Sequence, residues 1–180
     1  MDKSLNECKC CNSKLELISY YPDIVDQRKL IDEAISLPGF AGAMLLKSEE
    51  PIGFSWGYQI PETRTQSVNF PVIRELFRER GINPDRVFYG AETGIVAEYQ
   101  KRGLGSVIAS VRCLEAQNGN YDFFANRTIN PRMKAISSHI FSGSQATELF
   151  EDPETKSPWF MWRFKDFDRE YARKKLGRLR

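Results

Sequence analysis

A glycine-containing turn between a strand pattern and a helix pattern constrains the fold of this chain more than any other stretch. Residues 86–97 are rich in aromatic and β-branched side chains, which favours a strand. Beyond the turn, positions 104, 107, 108, 111 and 114 are apolar at the spacing of one helical face. The turn itself reads Gln100-Lys-Arg-Gly-Leu-Gly105. The first N–H groups of a helix are free, and the helix dipole favours negative charge at this end. The strand, the turn and the helix together therefore predict an anion-binding site.

This turn resembles the acetyl-CoA pyrophosphate loop of the GNAT N-acetyltransferase superfamily, which is written Gln/Arg-x-x-Gly-x-Gly/Ala. An upstream hairpin, the strand, the amphipathic helix and a later strand followed by Asn-Arg-Thr-Ile-Asn130 come in the family's order. Other phosphate loops fit less well, because the spacing is neither Gly-x-Gly-x-x-Gly nor Gly-x-x-x-x-Gly-Lys-Ser/Thr. The alternative is an ordinary strand-to-helix turn with a glycine for close packing. The resemblance covers about residues 40–165.

The resemblance implies an α/β (α+β) fold with a mixed, mostly antiparallel central sheet and helices on both faces. In that family the central strand carries a bulge, and it splays from its neighbour at the acetyl-CoA site. The length predicts one globular domain. We expect a mobile Cys-containing N-terminus at residues 1–13, a GNAT-like domain at 14–165 and a basic helical tail at 166–180.

Hydrophobic periodicity and turn residues predict the remaining elements. Further strands are predicted at 14–20, 41–47, 52–59, 121–127, 146–151 and 159–164. Further helices are predicted at about 27–36, 70–80 and 131–141. Cys113 falls opposite the apolar stripe of the helix after the turn, so it is expected off the main core.

The resemblance implies acetyl-CoA as the co-substrate and indicates where it would bind. The pantetheine arm would contact the end of the central strand, and the pyrophosphate would meet the turn. The implied residues are Ile95, Val96, Ala97, Gln100, Lys101, Arg102, Gly103, Leu104, Gly105, Ser106 and Asn130. A backbone N–H near Val96 would polarise the thioester carbonyl. Gly103 and Gly105 would keep side chains away from the phosphates.

Glu92 is the candidate catalytic residue, as a general base or as the group that holds the amine. Its neighbours along the same strand face are Gly90 and Gly94, which predict open space beside a carboxylate with a raised pKa. The alternatives are a glutamate paired with an arginine or exposed at a sheet edge. The family's usual acid is a Tyr seven residues after the Asn. Here that position is Ser137, so the presence of a general acid stays open.

Three aromatic residues are candidates for binding the acceptor amine. Phe54, Trp56 and Tyr58 alternate onto one strand face, and Tyr89 lies on the central strand. This face is either core or the wall of a substrate pocket, and Trp56, Tyr58 and Tyr89 have polar tips that suit the second role. The single histidine, His139, lies among apolar helix positions and is expected to be packed or on the surface.

Charge and cysteine usage bear on partners. Residues 165–180 carry seven Lys/Arg against three Asp/Glu, which favours a solvated helix over a nucleic-acid contact. Cys8, Cys10 and Cys11 lack the spacing of a structural zinc site. They are expected to be reduced thiols, although half of a zinc knuckle shared with another chain is an alternative. No metal is therefore predicted, and a homodimer is left open.

The leading hypothesis is a cytoplasmic N-acetyltransferase that moves an acetyl group from acetyl-CoA to a primary amine by direct attack in a ternary complex. The chain has no apolar run of about 18 residues and no signal-peptide pattern, so no membrane association is expected. One alternative is a catalytically silent acyl-CoA-binding regulatory domain. Another is a nucleic-acid-associated protein on the same scaffold. The sequence does not identify the acceptor, which can be a small molecule or a protein.

Overall fold

The computed structural model describes residues 24–177 of the chain. The chain divides into two compact units, residues 1–32 and residues 33–180. Of the first unit the described part is residues 24–32, which form the beginning of helix α1 (Ile24–Ser36). The predicted strand at 14–20 and the cysteines at 8, 10 and 11 lie outside the described residues.

The described part of the second unit contains one six-stranded mixed sheet. Its strands are β1 (Ala41–Lys47), β2 (Glu50–Gln59), β3 (Val87–Ile95), β4 (Phe123–Arg127), β5 (Thr147–Glu151) and β6 (Pro158–Arg163). The remaining helices are α2 (Phe70–Arg78), α3 (Leu104–Ala116), α4 (Pro131–Ile140) and α5 (Arg169–Gly177). The spatial order is β1-β2-β3-β4-β6-β5, and all pairs are antiparallel except β3 with β4.

The connections explain these strand directions. A two-residue turn at Ser48 and Glu49, both with positive φ, joins β1 to β2 as an antiparallel hairpin. Parallel strands need a longer crossover, and α3 provides it between β3 and β4. The expected mixed, mostly antiparallel sheet is confirmed.

Two aromatic layers pack helices onto opposite faces of the sheet. Phe88 and Phe124 belong to a buried cluster that also contains residues of α3, α4 and α5. The next residue of β3, Tyr89, points to the other face, where its ring contacts Phe70 of α2 at a centroid distance of 5.4 Å. Helices on both faces, as the resemblance implied, are therefore confirmed.

The predicted ends of two strands are wrong, and so is the predicted exposure of Cys113. Strand β3 ends at Ile95, because Ala97–Tyr99 form a 3-10 turn rather than more strand. Strand β4 begins at Phe123, two residues later than predicted. Cys113 is fully buried, because α3 packs on the sheet along one side and on α4 and α5 along another. A helix covered on two sides buries more than one stripe.

Residues 169–177 of the predicted basic tail form α5, and this helix does not project freely into solvent. Ala172 is fully buried and Tyr171 packs against the same cluster as Phe88 and Phe124. The basic side chains of α5 therefore line the outer surface of a packed helix. No helix in the described part of the chain is long and apolar enough to cross a bilayer.

A buried ion pair at the end of β4 gives a stability prediction. Asp152 is 2% exposed, and its Oδ2 accepts a hydrogen bond from Arg127 Nη1 at 3.0 Å. Burial acts to raise the pKa of Asp152, but hydrogen bonds from the Thr155 N–H and from Arg127 outweigh it and hold the pKa below its ordinary value. We expect Asp152→Asn to lower the free energy of unfolding at pH 7 by about 1.5–3 kcal/mol, the contribution of hydrogen bonds to a charged group.

The pH dependence gives the control for this prediction. A depressed carboxyl pKa contributes stability above the pKa of the unfolded state, and this contribution is lost as the pH falls through the folded-state pKa. The difference in the free energy of unfolding between wild type and Asp152→Asn should therefore be constant above about pH 4. It should shrink as the pH falls below that value. Denaturant titrations at several pH values measure the difference, with the exposed Glu148→Gln as the reference variant. A difference that persists unchanged at pH 2 contradicts the role given to this pair.

Candidate active site

Strands β3 and β4 pair over only three residues and then separate. The parallel register is Val87 with Phe123, Phe88 with Phe124 and Tyr89 with Ala125, while β3 continues to Ile95. Beyond this register the two strands enclose a cavity of about 130 Å³. It is lined by Gly90, Ala91, Glu92, Thr93, Arg112, Asn126, Arg127, Thr128 and Met133. The splayed strands that the resemblance implied are present.

A bulge in β3 accompanies this separation. Trp56 of β2 pairs with Glu92, but the next residue, Gly57, pairs with Gly90, so Ala91 has no partner. An unpaired residue bends its strand and increases the local twist, which turns the rest of β3 away from β4. The expected bulge is therefore present, four residues before the first of the predicted pantetheine contacts.

The turn after β3 leads into an uncapped helix. Gly103 has φ +78°, a left-handed conformation that favours glycine, and α3 begins at the next residue with no side-chain cap. A Cβ on Gly103 would meet no atom within 4 Å, so the space in front of this helix end is open. A Cβ on Gly105 would lie 3.3 Å from Ile136, so this glycine allows α3 and α4 to approach.

Side chains of the turn hold its shape rather than project from it. Gln100 Nε2 donates to the Ile95 carbonyl at 2.9 Å, which ties the turn back to the end of β3. Arg102 Nη2 donates to the Glu98 carbonyl at 3.1 Å. Lys101 is exposed beside them with φ +61°. The turn therefore presents backbone N–H groups and positive charge to solvent.

The free backbone groups at the end of β3 differ from those predicted. The Val96 N–H donates to the Ile52 carbonyl at 3.0 Å, so a neighbouring N–H rather than that of Val96 itself is left to polarise a carbonyl. Successive residues of a strand direct their N–H groups to opposite sides. The N–H groups of Ile95 and Thr93 therefore face the separation between β3 and β4. Val96 and Ala97 are exposed at its open end.

Glu92 lines the cavity, but not for the reason that the sequence suggested. A Cβ on Gly90 would lie 2.6 Å from the Phe124 ring, and one on Gly94 would lie 2.6 Å from the Phe54 ring. The predicted open space is therefore absent: the Phe54 ring fills the side next to Gly94, and the bulge at Ala91 puts Gly90, against the Phe124 ring, on the opposite face from Glu92. The carboxylate is reached by solvent, yet surrounding protein atoms raise the pKa of Glu92, while Arg127 and Arg112 act to lower it.

The three aromatic candidates belong to the core. Trp56, Tyr58 and Tyr89 are 7%, 4% and 4% exposed, and none of them lines the cavity that the described residues form. Burial raises the pKa of Tyr89 to about 12 and that of Tyr58 still further, so both hydroxyls stay protonated near neutral pH. They can donate a hydrogen bond but cannot act as bases.

The residues after β4 have structural partners. Asn130 caps α4, and its Oδ1 accepts a hydrogen bond from the Arg132 N–H at 3.0 Å. Ser137, at the position of the family's usual Tyr, is 1% exposed and lies 2.9 Å from Asn126 Nδ2. His139 is on the surface, with its ring packed edge-on against Tyr171. Neither Ser137 nor His139 lines the cavity among the residues that the structure describes.

Sequence reasoning missed three polar residues that meet Glu92 at the cavity: Arg112, Asn126 and Arg127. Arg112 lies within an apolar helix pattern, and nothing in that pattern separates it from an exposed arginine. Asn126 and Arg127 are the last residues of a short strand. The alternation of its side chains predicts the face of the sheet on which each residue lies, but not the residues that it contacts. Within residues 24–177, no three His, Cys, Asp or Glu side chains come together as a metal site.

Comparisons with known proteins show the fold. No protein-family model matches the sequence, and no curated protein matches it. A structure of an uncharacterized Bacillus halodurans protein superimposes with a TM-score of 0.58 at 12% identity, over 87% of this chain and 75% of that one. A Staphylococcus aureus acetyltransferase of the GNAT family superimposes with a TM-score of 0.51 at 10% identity, over 79% of this chain and 81% of that one. An acetyltransferase of Thermus thermophilus superimposes with a TM-score of 0.50 at 16% identity, over 79% of this chain and 75% of that one. The chain therefore has the GNAT fold.

Proposed function

We propose that this protein is an N-acyltransferase that moves an acyl group from a CoA thioester to a primary amine, with acetyl-CoA as the donor that the turn implies. One observation carries the proposal. The separation between β3 and β4 runs from the open, uncapped end of α3 to a cavity that contains a carboxylate. This is the shape that an extended phosphate-bearing thioester needs, with its anionic end and its reactive end held apart.

The pyrophosphate binds the uncapped N–H groups between Lys101 and Ser106. Gly103 leaves open space for it, and the charges of Lys101 and Arg102 add attraction. The pantetheine amides pair with the backbone of β3 as an additional strand would, through the N–H of Ile95. Val96 and Ala97 contact this arm with their exposed side chains. Asn130 contributes through Nδ2, because its Oδ1 is used by the helix cap.

Glu92 acts on the acceptor amine. An ammonium has no lone pair, so it first loses a proton, which passes to Glu92 directly or through a water. The nitrogen then forms a bond to the thioester carbon, the carbon–sulfur bond breaks, and the nitrogen gives up its second proton to the departing thiolate or to water. The N–H of Thr93, which faces the separation beside Glu92, polarises the carbonyl, since the Ile95 N–H pairs with the pantetheine arm and Ile52 occupies the Val96 N–H. A CoA thiolate is a good leaving group near neutral pH, so the mechanism works without an acid at Ser137.

The direct test is release of CoA thiol from acetyl-CoA in the presence of a library of amines. We expect release that depends on the amine and gives the corresponding amide. The buried Ser137 favours a second candidate, a silent acyl-CoA-binding domain, because it leaves the cavity without a tyrosine acid. Binding of acetyl-CoA without thiol release for any amine would support that candidate. Absence of binding would contradict both.

A further inference from the structure

Arg112 is a buried cation at the wall of the cavity. The residue is 2% exposed, and the three hydrogen bonds that its guanidinium donates within residues 24–177 all come from Nη1. The acceptors are Ser55 Oγ at 3.0 Å, Thr93 Oγ1 at 3.3 Å and the Trp56 carbonyl at 3.5 Å. All of these acceptors are neutral, and Nε is buried without any hydrogen-bond partner.

Two other arginines, the buried Arg74 and the partly buried Arg127, show what Arg112 lacks. Arg74 donates to Asp85 at 2.6 Å, and Arg127 donates to Asp152 at 3.0 Å. Arg112 forms no ion pair with any carboxylate of residues 24–177. Arginine is rarely buried without a partner, because an uncompensated charge loses its hydration. The Phe124 ring, 5.2 Å from the guanidinium carbon, offsets only part of this cost.

A second unpaired polar group lines the same cavity. Asn126 is 5% exposed; its Nδ2 bonds to Ser137, and its Oδ1 has no partner. Arg112 and Asn126 thus both line the cavity, and each holds one buried polar atom, Nε and Oδ1, without a hydrogen-bond partner. Its volume of about 130 Å³ is much more than the roughly 10–15 Å³ that one water needs, so a small organic group fits there.

We propose that Arg112 binds a carboxylate at the far end of the acyl group, so that the preferred donor is the CoA monothioester of a short dicarboxylic acid. This inference rests on the proposed function, since a CoA thioester bound along β3 directs its acyl group into the cavity. The acyl group is the source of the carboxylate because Arg112 comes from α3, the helix whose N-terminus faces the pyrophosphate. The acceptor candidates Tyr58 and Tyr89 pack instead toward α2 on the opposite face.

The charges around the cavity suit such a group. Nε and Nη2 form the side of the guanidinium that can hold a carboxylate with two parallel hydrogen bonds. Arg127 is neutralised by Asp152, and Glu92, which also lines the cavity, is exposed to solvent, which screens its repulsion of an anionic group. In the transfer, Glu92 takes the first proton of the amine, the nitrogen bonds to the thioester carbon, the carbon–sulfur bond breaks, and the CoA thiolate that leaves takes the nitrogen's second proton. The distal carboxylate keeps its charge throughout.

The test is calorimetric titration of CoA, acetyl-CoA and succinyl-CoA into the wild-type protein and Arg112→Met. We expect wild type to bind succinyl-CoA about 10–100-fold more tightly than acetyl-CoA, as a charge-assisted hydrogen bond provides. In Arg112→Met this preference should disappear, while affinity for CoA itself stays within about threefold. The variant keeps the volume of the side chain, and Ser55 and Thr93 still bond to each other at 2.8 Å.

Asn126→Asp keeps the test decisive if Arg112→Met fails to fold. The added carboxylate has the same size as the amide and repels an anionic acyl group, so affinity for succinyl-CoA should fall while that for acetyl-CoA should not. Equal affinity of the wild type for the two thioesters would overturn the inference and leave the proposed function standing. Absence of CoA binding would overturn both.

A further experiment tests whether the carboxylate that Arg112 binds belongs to the acyl donor or to the acceptor. With acetyl-CoA as donor, thiol release is compared for lysine and for 1,5-diaminopentane, which lacks the carboxylate. We expect no preference that depends on Arg112. If wild type prefers lysine and Arg112→Met does not, the carboxylate belongs to the acceptor and the acyl assignment is wrong.

Discussion

Gly103→Asp should abolish binding of acetyl-CoA without unfolding the protein. The new carboxylate enters open space at the end of α3, where the pyrophosphate would sit. One like-charge contact at about 4 Å near a protein surface costs roughly 4 kcal/mol, so affinity should fall on the order of 10²–10³-fold. Aspartate tolerates the left-handed conformation of this position and is a favourable helix cap. Loss of binding would therefore not reflect loss of α3.

Gly103→Asn is the matched control, because it has the same shape and no charge. We expect this variant to bind acetyl-CoA within about tenfold of wild type, since asparagine also accepts a positive φ. Calorimetry gives the affinities, and thermal unfolding shows whether each variant is folded. Equal affinity for the Asp and Asn variants would show that no phosphate approaches this end of the helix.

Glu92→Gln should lower kcat on the order of 10²-fold or more, the usual contribution of a positioned general base. Affinity for CoA should not change, because Glu92 lies beyond the predicted pantetheine contacts. If Glu92 only holds the ammonium, the KM for the amine should rise while kcat changes less. Glu98→Gln is the control, because Glu98 is exposed on the turn after β3 and does not line the cavity. Wild-type kcat and KM in Glu92→Gln would leave this residue without a catalytic role.

The pH dependence follows from the raised pKa of Glu92. A base must be ionised, so the rate should fall as the pH drops through this pKa, and at a higher pH than for an ordinary glutamate. Glu92→Gln should lose this limb of the profile. Because ionisation is less favourable in the folded state, the folded protein loses stability as the pH rises through the window between the unfolded and folded pKa values. At neutral pH, Glu92→Gln should therefore be no less stable than wild type.

The architecture was predictable because its signals are local. The strand, turn and helix around Gly103 each show in periodicity and composition over fewer than about 15 residues. The hairpin at Ser48 and Glu49 is also local. These features place the open end of α3 beside the end of β3, which is the half of the candidate site that we propose binds phosphate.

The other half of the site depends on contacts between distant residues. Gly90 and Gly94 suggested open space, but the rings of Phe124 and Phe54 fill it. The Val96 N–H was expected to be free, but the bulge at Ala91 sets a register in which Ile52 accepts it. Local sequence shows that a residue lacks a side chain or lies on a strand. It does not show which distant group comes to fill the gap or pair with the backbone.

Arg112 and Cys113 show the same limit on a helix. Periodicity identifies the stripe of α3 that faces the sheet, but α4 and α5 cover a second side. Cys113 is buried for this reason, and Arg112 is held between strands β2 and β3 rather than in solvent. The number of neighbours around a helix is a property of the whole fold, so the pattern of one helix does not reveal it.

The central claim is that an acyl-CoA lies along β3 with its pyrophosphate at the beginning of α3. The most direct measurement is a backbone amide NMR titration of the wild-type protein with CoA. We predict saturable shifts at Ile95 and at residues 101–106, with the other end of the sheet unaffected. Shifts confined to the larger cavity near Arg80 and Arg163, about 840 Å³ in volume, would contradict the claim, as would no shifts at all.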